Sequence, residues 1–211
     1  MMRQEHSAFF IIFFLFIFVD VHSQFIPPAK IDGFVYKHGR INSDTNILSD
    51  SWPALKHAVQ YYGPRVRLMV HLFPLPYHNN AYVASRALRI INKLNTSATF
   101  NLLEGFFEHQ EKFYHNSTCN MSRDFVLNHT VNFATEVIGN SYHVTLYSGF
   151  YDIKSDLKTR VSFKYGALRG VYGTPSFFLN GFYLPDAGST TNFTGCRSFI
   201  DPLIGEKGQQ E

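Results

Sequence analysis

The stretch Val171-Tyr172-Gly173-Thr174-Pro175-Ser176-Phe177-Phe178-Leu179-Asn180-Gly181-Phe182 constrains the fold of this chain more than any other. It reads as a Gly-Thr-Pro corner, a short buried strand, and an Asn-Gly reversal into Phe182-Tyr183-Leu184. Phe177-Phe178-Leu179 has strand length and aromatic enrichment, and Asn-Gly is a strong two-residue hairpin signal. Proline at the first residue of a strand removes no ladder hydrogen bond, and an X-Pro bond at such a corner is a candidate for the cis form.

The chain begins with a polar segment, Met1 to His6, followed by an unbroken apolar run from Ala8 to Val19. With Val21-His22-Ser23 behind it, the run reads as a secretory signal peptide cleaved after Ser23. A membrane anchor is the rival reading, but a bilayer span needs about 20 apolar residues and this run is shorter. No other segment is long and apolar enough to span. The domain layout expected is a signal peptide over 1–23, an irregular segment over 24–50, and one folded domain over 51–211.

A secretory route agrees with five N-x-[ST] sequons, at Asn95, Asn116, Asn120, Asn128 and Asn192. Used sequons lie on the surface of lumenal proteins. Asn116 and Asn120 flank Cys119 closely enough that full occupancy of both is not expected. Cys119 and Cys196 are the two cysteines. In an oxidising compartment a structural disulfide between them and two separate thiols stand as open alternatives. Ten histidines are scattered without helical metal-ligand spacing, so neither a metal nor a cofactor is expected. A net charge of +3 without a Lys/Arg run argues against nucleic-acid binding.

Periodicity sets out the order of elements. Gly33 to Tyr36 could form a short strand. Ser49 or Ser51 caps a helix from Trp52 to Tyr62, with Pro53 tolerated in its first turn. Arg65 to Phe73 has the pattern of a strand, stopped by Pro74-Leu75-Pro76. Helices are predicted from Asn79 to Leu94 and from Thr99 to Phe113. A further helix follows Ser122 and closes at Gly139, and another runs from Ile153 to Leu168 behind Asp152. After the hairpin comes an amphipathic segment from Thr194 to Ile204.

The segment Val66 to Ala81, with Phe73-Pro74-Leu75-Pro76-Tyr77-His78, resembles the second strand and helix start of DsbA-like thioredoxin-fold proteins. Together with Val171 to Gly181 in the right order, the likeness covers Ser51 to Leu203. It is nearest to plant-type secreted members of that superfamily. The resemblance implies an α/β thioredoxin-like fold with a helical subdomain inserted at about 95–150. It also implies that Thr174 and Pro175 form the cis-Pro loop, where relatives pair extended substrates.

Two departures follow from the same resemblance. Such proteins carry Cys-Pro-x-Cys or Cys-Pro-x-Ser just before the helix at Trp52, where the helix N-terminus acidifies a thiol. Here Thr45-Asn46-Ile47-Leu48-Ser49-Asp50-Ser51 holds no cysteine. The apolar interior strand that precedes the motif is missing too. Either Gly33–Tyr36 moves in to replace it, or the coding sequence is shortened at the Asn46–Ile47 junction. Ser49-Asp50-Ser51 reads as N-cap chemistry. The expected function is a redox-inactive secretory glycoprotein, extracellular or in the endoplasmic-reticulum or vacuolar lumen, that binds extended peptide or protein and has no membrane span after cleavage. The alternative is a thiol–disulfide oxidoreductase or isomerase with a degenerate active site.

Overall fold

The computed structural model describes residues 34–36, 51–184 and 191–204. The expected signal peptide, the Asn46–Ile47 junction, Ser49 and Asp50 lie outside the described residues.

Strand β1 (Phe34–Tyr36) pairs antiparallel with β2 (Leu68–Val70), in the register Phe34 to Val70 and Tyr36 to Leu68. Between them lies helix α1 (Trp52–Tyr62). Strand β2 is shorter than its apolar run, which extends from Arg65 to Phe73. The reason is pairing: β1 offers three residues on one edge, and no described strand borders the other. Beyond the ladder, the buried Ser162 hydroxyl donates to the Leu72 carbonyl at 3.0 Å.

Helices α2 (Ala81–Leu94) and α3 (Thr96–Glu108) meet at Asn95. The Asn95 side chain accepts from the amides of Ser97 and Ala98, at 2.9 and 3.2 Å. That cap starts α3 three residues before the expected Thr99, because it satisfies two of the four amides a helix start leaves without partners. Helix α3 ends at Glu108, and Phe113 sits on a separate 3₁₀ turn, Gln110–Phe113. A single-turn helix α4 (His115–Thr118) leads to α5 (Arg123–Ile138), whose first turn is capped by the Ser122 hydroxyl at 3.2 Å from the Phe125 nitrogen.

Helix α6 (His143–Gly149) has no counterpart in the periodicity, since its seven residues contribute one buried apolar side chain, Leu146. Helix α7 (Ile153–Leu168) starts at Asp152, whose carboxylate accepts the Lys154 amide at 2.9 Å. The hairpin β3 (Phe178–Leu179) and β4 (Phe182–Tyr183) follows, then α8 (Phe193–Ile204).

The main core gathers around α2, which packs on α3, α5, α6 and α7. Ala87, Ile91, Leu102, Val131, Ala134 and Leu146 are fully enclosed there. Helix α8 packs on α1, with Ala54, Ala58, Tyr62 and Cys196 in a second apolar cluster. The Tyr62 hydroxyl donates to Asp201, which also pairs with Arg197, so α8 is held by polar contacts at its far end. A polar node ties α2 to α7. Asp156 accepts from Tyr82 and from Arg160, each at 2.7 Å, and Arg160 holds its carboxyl below the usual range. Burial and Asp156 together push the Tyr82 hydroxyl up to about 12. No described helix is long and apolar enough to cross a membrane.

Candidate functional site

The corner at Thr174 is built outward from the end of α7. Gly170 adopts φ +80°, a conformation that glycine enters without a Cβ penalty. It lets the Gly170 amide reach the Ala167 carbonyl and the Val171 amide reach the Gly166 carbonyl, both at 3.0 Å. This Schellman closure satisfies the last carbonyls of α7 and turns the chain toward the corner. There the Ser176 hydroxyl donates to the Gly173 carbonyl at 2.7 Å, and the Thr174–Pro175 peptide bond is cis. Thr174 is exposed, while Pro175, Ser176 and Phe177 are half-buried.

The reversal beyond β3 has positive φ at both central residues, +51° at Asn180 and +88° at Gly181. Two such residues are what a type I′ hairpin turn requires. Leu184 donates back to the Phe177 carbonyl at 2.9 Å, and the Phe178 and Tyr183 rings meet edge-on at 5.1 Å. Arg169 clamps the hairpin to α7, with its guanidinium over the Phe178 ring at 5.2 Å and a hydrogen bond to the Gly181 carbonyl. Tyr172, just before the corner, and Phe182, just after the turn, are each 78% exposed.

The described strands form two separate two-stranded sheets, β1-β2 and β3-β4. Strand β1 borders β2 alone, so it does not join β2 to β3, one of the two arrangements weighed for the missing strand. Among the described strands, β2 and β3 each carry one ladder and one open edge.

At the start of α1, Ser51 occupies the N-cap position but makes no side-chain cap. Its backbone is already helical, which points the hydroxyl away from the first-turn amides. The buried Ser51 Oγ accepts the Thr191 amide at 2.9 Å instead, fastening the approach to α8. The capping role expected of Ser51 is therefore replaced by a tertiary tie.

Under the same first turn lies a polar cluster that the sequence did not disclose. Glu104 Oε1, on α3, accepts from Lys56 Nζ and from Trp52 Nε1, both at 2.8 Å. The Lys56 and Glu104 side chains are only 7% and 18% exposed. Trp52 also stacks on Phe100, with ring centroids 6.0 Å apart, and meets Phe107 edge-on at 6.1 Å. A separation of 48 residues between Lys56 and Glu104 leaves no local signal for the pair.

The two cysteines are free, one exposed and one buried, and the bridge weighed above is not formed. Cys119 lies at the end of α4, its thiol directed to the Asn116 carbonyl at 3.6 Å, among Asn120, Met121, Ser122 and Phe125. Cys196 sits inside the α1–α8 cluster, where burial pushes its thiol up. A thiol so placed is a weak source of thiolate. Asn95, Asn116, Asn120, Asn128 and Asn192 are all exposed. Two of them also cap backbone: Asn95 as described, and Asn192, which accepts the Gly195 amide at 2.8 Å. Among the described residues no three His, Cys, Asp or Glu side chains gather into a metal-binding group.

Neither the family models nor the curated proteins gave a match to this sequence. Among solved structures, a candidate protein-disulfide isomerase from Pseudomonas syringae, determined at 2.5 Å, superposes with a TM-score of 0.66. The two chains are 17% identical, and the alignment covers 81% of this chain and 99% of the other. At that identity the likeness speaks to architecture. The chain has a thioredoxin-like α/β fold of the DsbA type.

Proposed function

We propose that this chain is a redox-inactive thioredoxin-fold glycoprotein of the secretory pathway, and that it takes extended peptide by strand addition beside Thr174 and Pro175. The observation that carries this reading is the edge of β3 that no described strand borders, next to an exposed corner. An unpaired strand edge presents a row of main-chain donors and acceptors to which an extended chain can pair. Tyr172, two residues before Thr174, supplies exposed aromatic surface on the approach to the corner.

The proposal of redox inactivity rests on chemistry. A thiol–disulfide exchange site needs an accessible, acidified cysteine. The start of α1 carries Ser51, already engaged with Thr191, and Cys196 is buried with its thiol pushed up. We place the helical insertion at 95–150. The apolar run from Ala8 to Val19, read as part of a leader over 1–23, and the exposed sequons support passage through the secretory pathway. A second reading, a DsbA-type oxidoreductase, is favoured by the description of the Pseudomonas syringae neighbour.

Binding of a fluorescent, extended apolar peptide tests the first reading. Methylating alternate peptide nitrogens removes main-chain donors while keeping every side chain. The account expects at least about tenfold weaker binding after methylation, as two or more hydrogen bonds are lost. Equal binding of both peptides, or none by either, would sink strand addition.

A further inference from the structure

An ordinary surface helix buries its apolar stripe, whereas helix α7 leaves four large aliphatic residues in solvent. Its inward face holds Ser155, Thr159, Ser162 and Gly166, all buried. Each has a structural reason to be there. Ser155 accepts from Arg86 at 2.9 Å, Thr159 donates to the Ser155 carbonyl at 2.8 Å, and Ser162 donates to Leu72. At Gly166 an added Cβ would come within 2.6 Å of the Phe73 ring.

Phe163 and Tyr165 are half-buried, stacked on Phe73 and His71, but the aliphatic residues lie outside. Ile153, Leu157, Val161 and Leu168 are 64%, 54%, 56% and 78% exposed. At 3.6 residues per turn these four fall within an arc of about 80°, running the roughly 22 Å length of the helix. Tyr151, also exposed, stands at the N-terminal end of the stripe. An exposed apolar strip of this kind, interrupted at Lys164, marks a surface that something covers.

Charge selects the occupant. Lys164 lies within the arc and Lys154 and Lys158 along one side, all exposed. Arg160 borders the other side, and Asp156, the carboxylate inside the helix, is engaged by Tyr82, Arg86 and Arg160. Two copies packed through this stripe would set lysine against lysine, which disfavours self-association. A planar anionic surface suits it better. Apolar side chains enter the acyl boundary, lysine stems lie along the surface with their ammonium groups at the phosphates, and tyrosine sits at headgroup level. A lipid surface needs no register with the lysines, unlike an acidic protein.

We propose that α7 docks the folded protein onto anionic lipid membrane, lying in the plane of the surface through Ile153, Leu157, Val161 and Leu168. This is independent of the peptide-binding reading, and on a secretory route it calls for a lumenal or extracellular surface that displays anionic lipid. The test is co-sedimentation of the full chain with vesicles of phosphatidylcholine alone and of phosphatidylcholine mixed with phosphatidylserine. The expected result is binding to the mixed vesicles only. Leu157→Glu with Val161→Glu, and separately Lys154→Glu with Lys158→Glu and Lys164→Glu, should each weaken that binding by more than about tenfold. Every substituted side chain is exposed, so circular dichroism should be unchanged. Leu157→Ser with Val161→Ser is the milder control should the charged variant misfold, and it too should weaken binding. The proposal is overturned if the mixed vesicles are not bound or if the variants bind as the parent does. It is equally overturned if the stripe variants dissolve a dimer, or if an acidic amphipathic peptide competes the protein off α7 without any vesicle binding.

Discussion

Replacing Glu104 by alanine is expected to destabilise the protein by about 3–5 kcal/mol, as for one partner removed from a buried ion pair. The substitution leaves the Lys56 ammonium, 7% exposed, without its carboxylate, and it takes the acceptor at 2.8 Å from the Trp52 indole. Desolvation decides the sign. Pairing two buried charges adds little net stability, whereas stranding one of them is costly. The double variant Lys56→Met with Glu104→Gln keeps an oxygen for the indole and removes both charges. It should lie within about 1–2 kcal/mol of the parent. Urea unfolding followed by Trp52 fluorescence reads both, since this is the one tryptophan of the chain. A double variant as unstable as Glu104→Ala would show that the charges themselves, rather than their pairing, hold α1 to α3.

Gly166→Val is expected to cost about 3 kcal/mol, at the upper end of ordinary overpacking. Two effects compete at this position. Removing glycine from a helix interior gains up to about 1 kcal/mol of propensity with alanine and less with valine. Against that, the new Cβ would sit 2.6 Å from Phe73 Cδ2. The ring is held in place by its stack on Phe163, with centroids 4.7 Å apart. The clash therefore wins. Gly166→Ala combined with Phe73→Leu should recover most of the loss suffered by Gly166→Ala alone. Thermal melts of the parent, Gly166→Val, Gly166→Ala, Phe73→Leu and the double variant check this, and additive losses in the double variant would contradict it.

Elements that announce themselves through local chemistry were legible before any coordinates. Asp152 and Ser122 cap α7 and α5 as expected, and the Asn180-Gly181 turn follows from two residues that tolerate positive φ. Local rules failed where a distant partner decides. Ser51 has the right identity for a cap and serves a tertiary bond to Thr191 instead. The apolar run around β2 suggests nine residues of strand, but a ladder extends only as far as its neighbour, and β1 supplies three. Helix α6 is too short to display a period.

The candidate site was legible in the same uneven way. Its proline corner is a local motif and could be read directly. The Lys56–Glu104–Trp52 cluster joins residues 48 and 52 positions apart, so only the fold brings it together. Helix α7 carries its lesson in burial: apolar residues at helical spacing suggest a core face, yet serine, threonine and glycine occupy it. Close approach to Phe73 and the need to satisfy the Leu72 carbonyl select small hydroxyl-bearing side chains there.

The central claim is that a thioredoxin-like frame persists here without thiol–disulfide chemistry. Insulin reduction, run on the parent and on Cys119→Ser with Cys196→Ser, tests it most directly, with alkylation rates recorded alongside. The account predicts no turnover above background by either protein. It also predicts rapid alkylation of exposed Cys119 and slow alkylation of Cys196, whose thiol burial has pushed up. Catalysed insulin reduction by the parent that disappears in the double serine variant would contradict the account and restore the oxidoreductase reading.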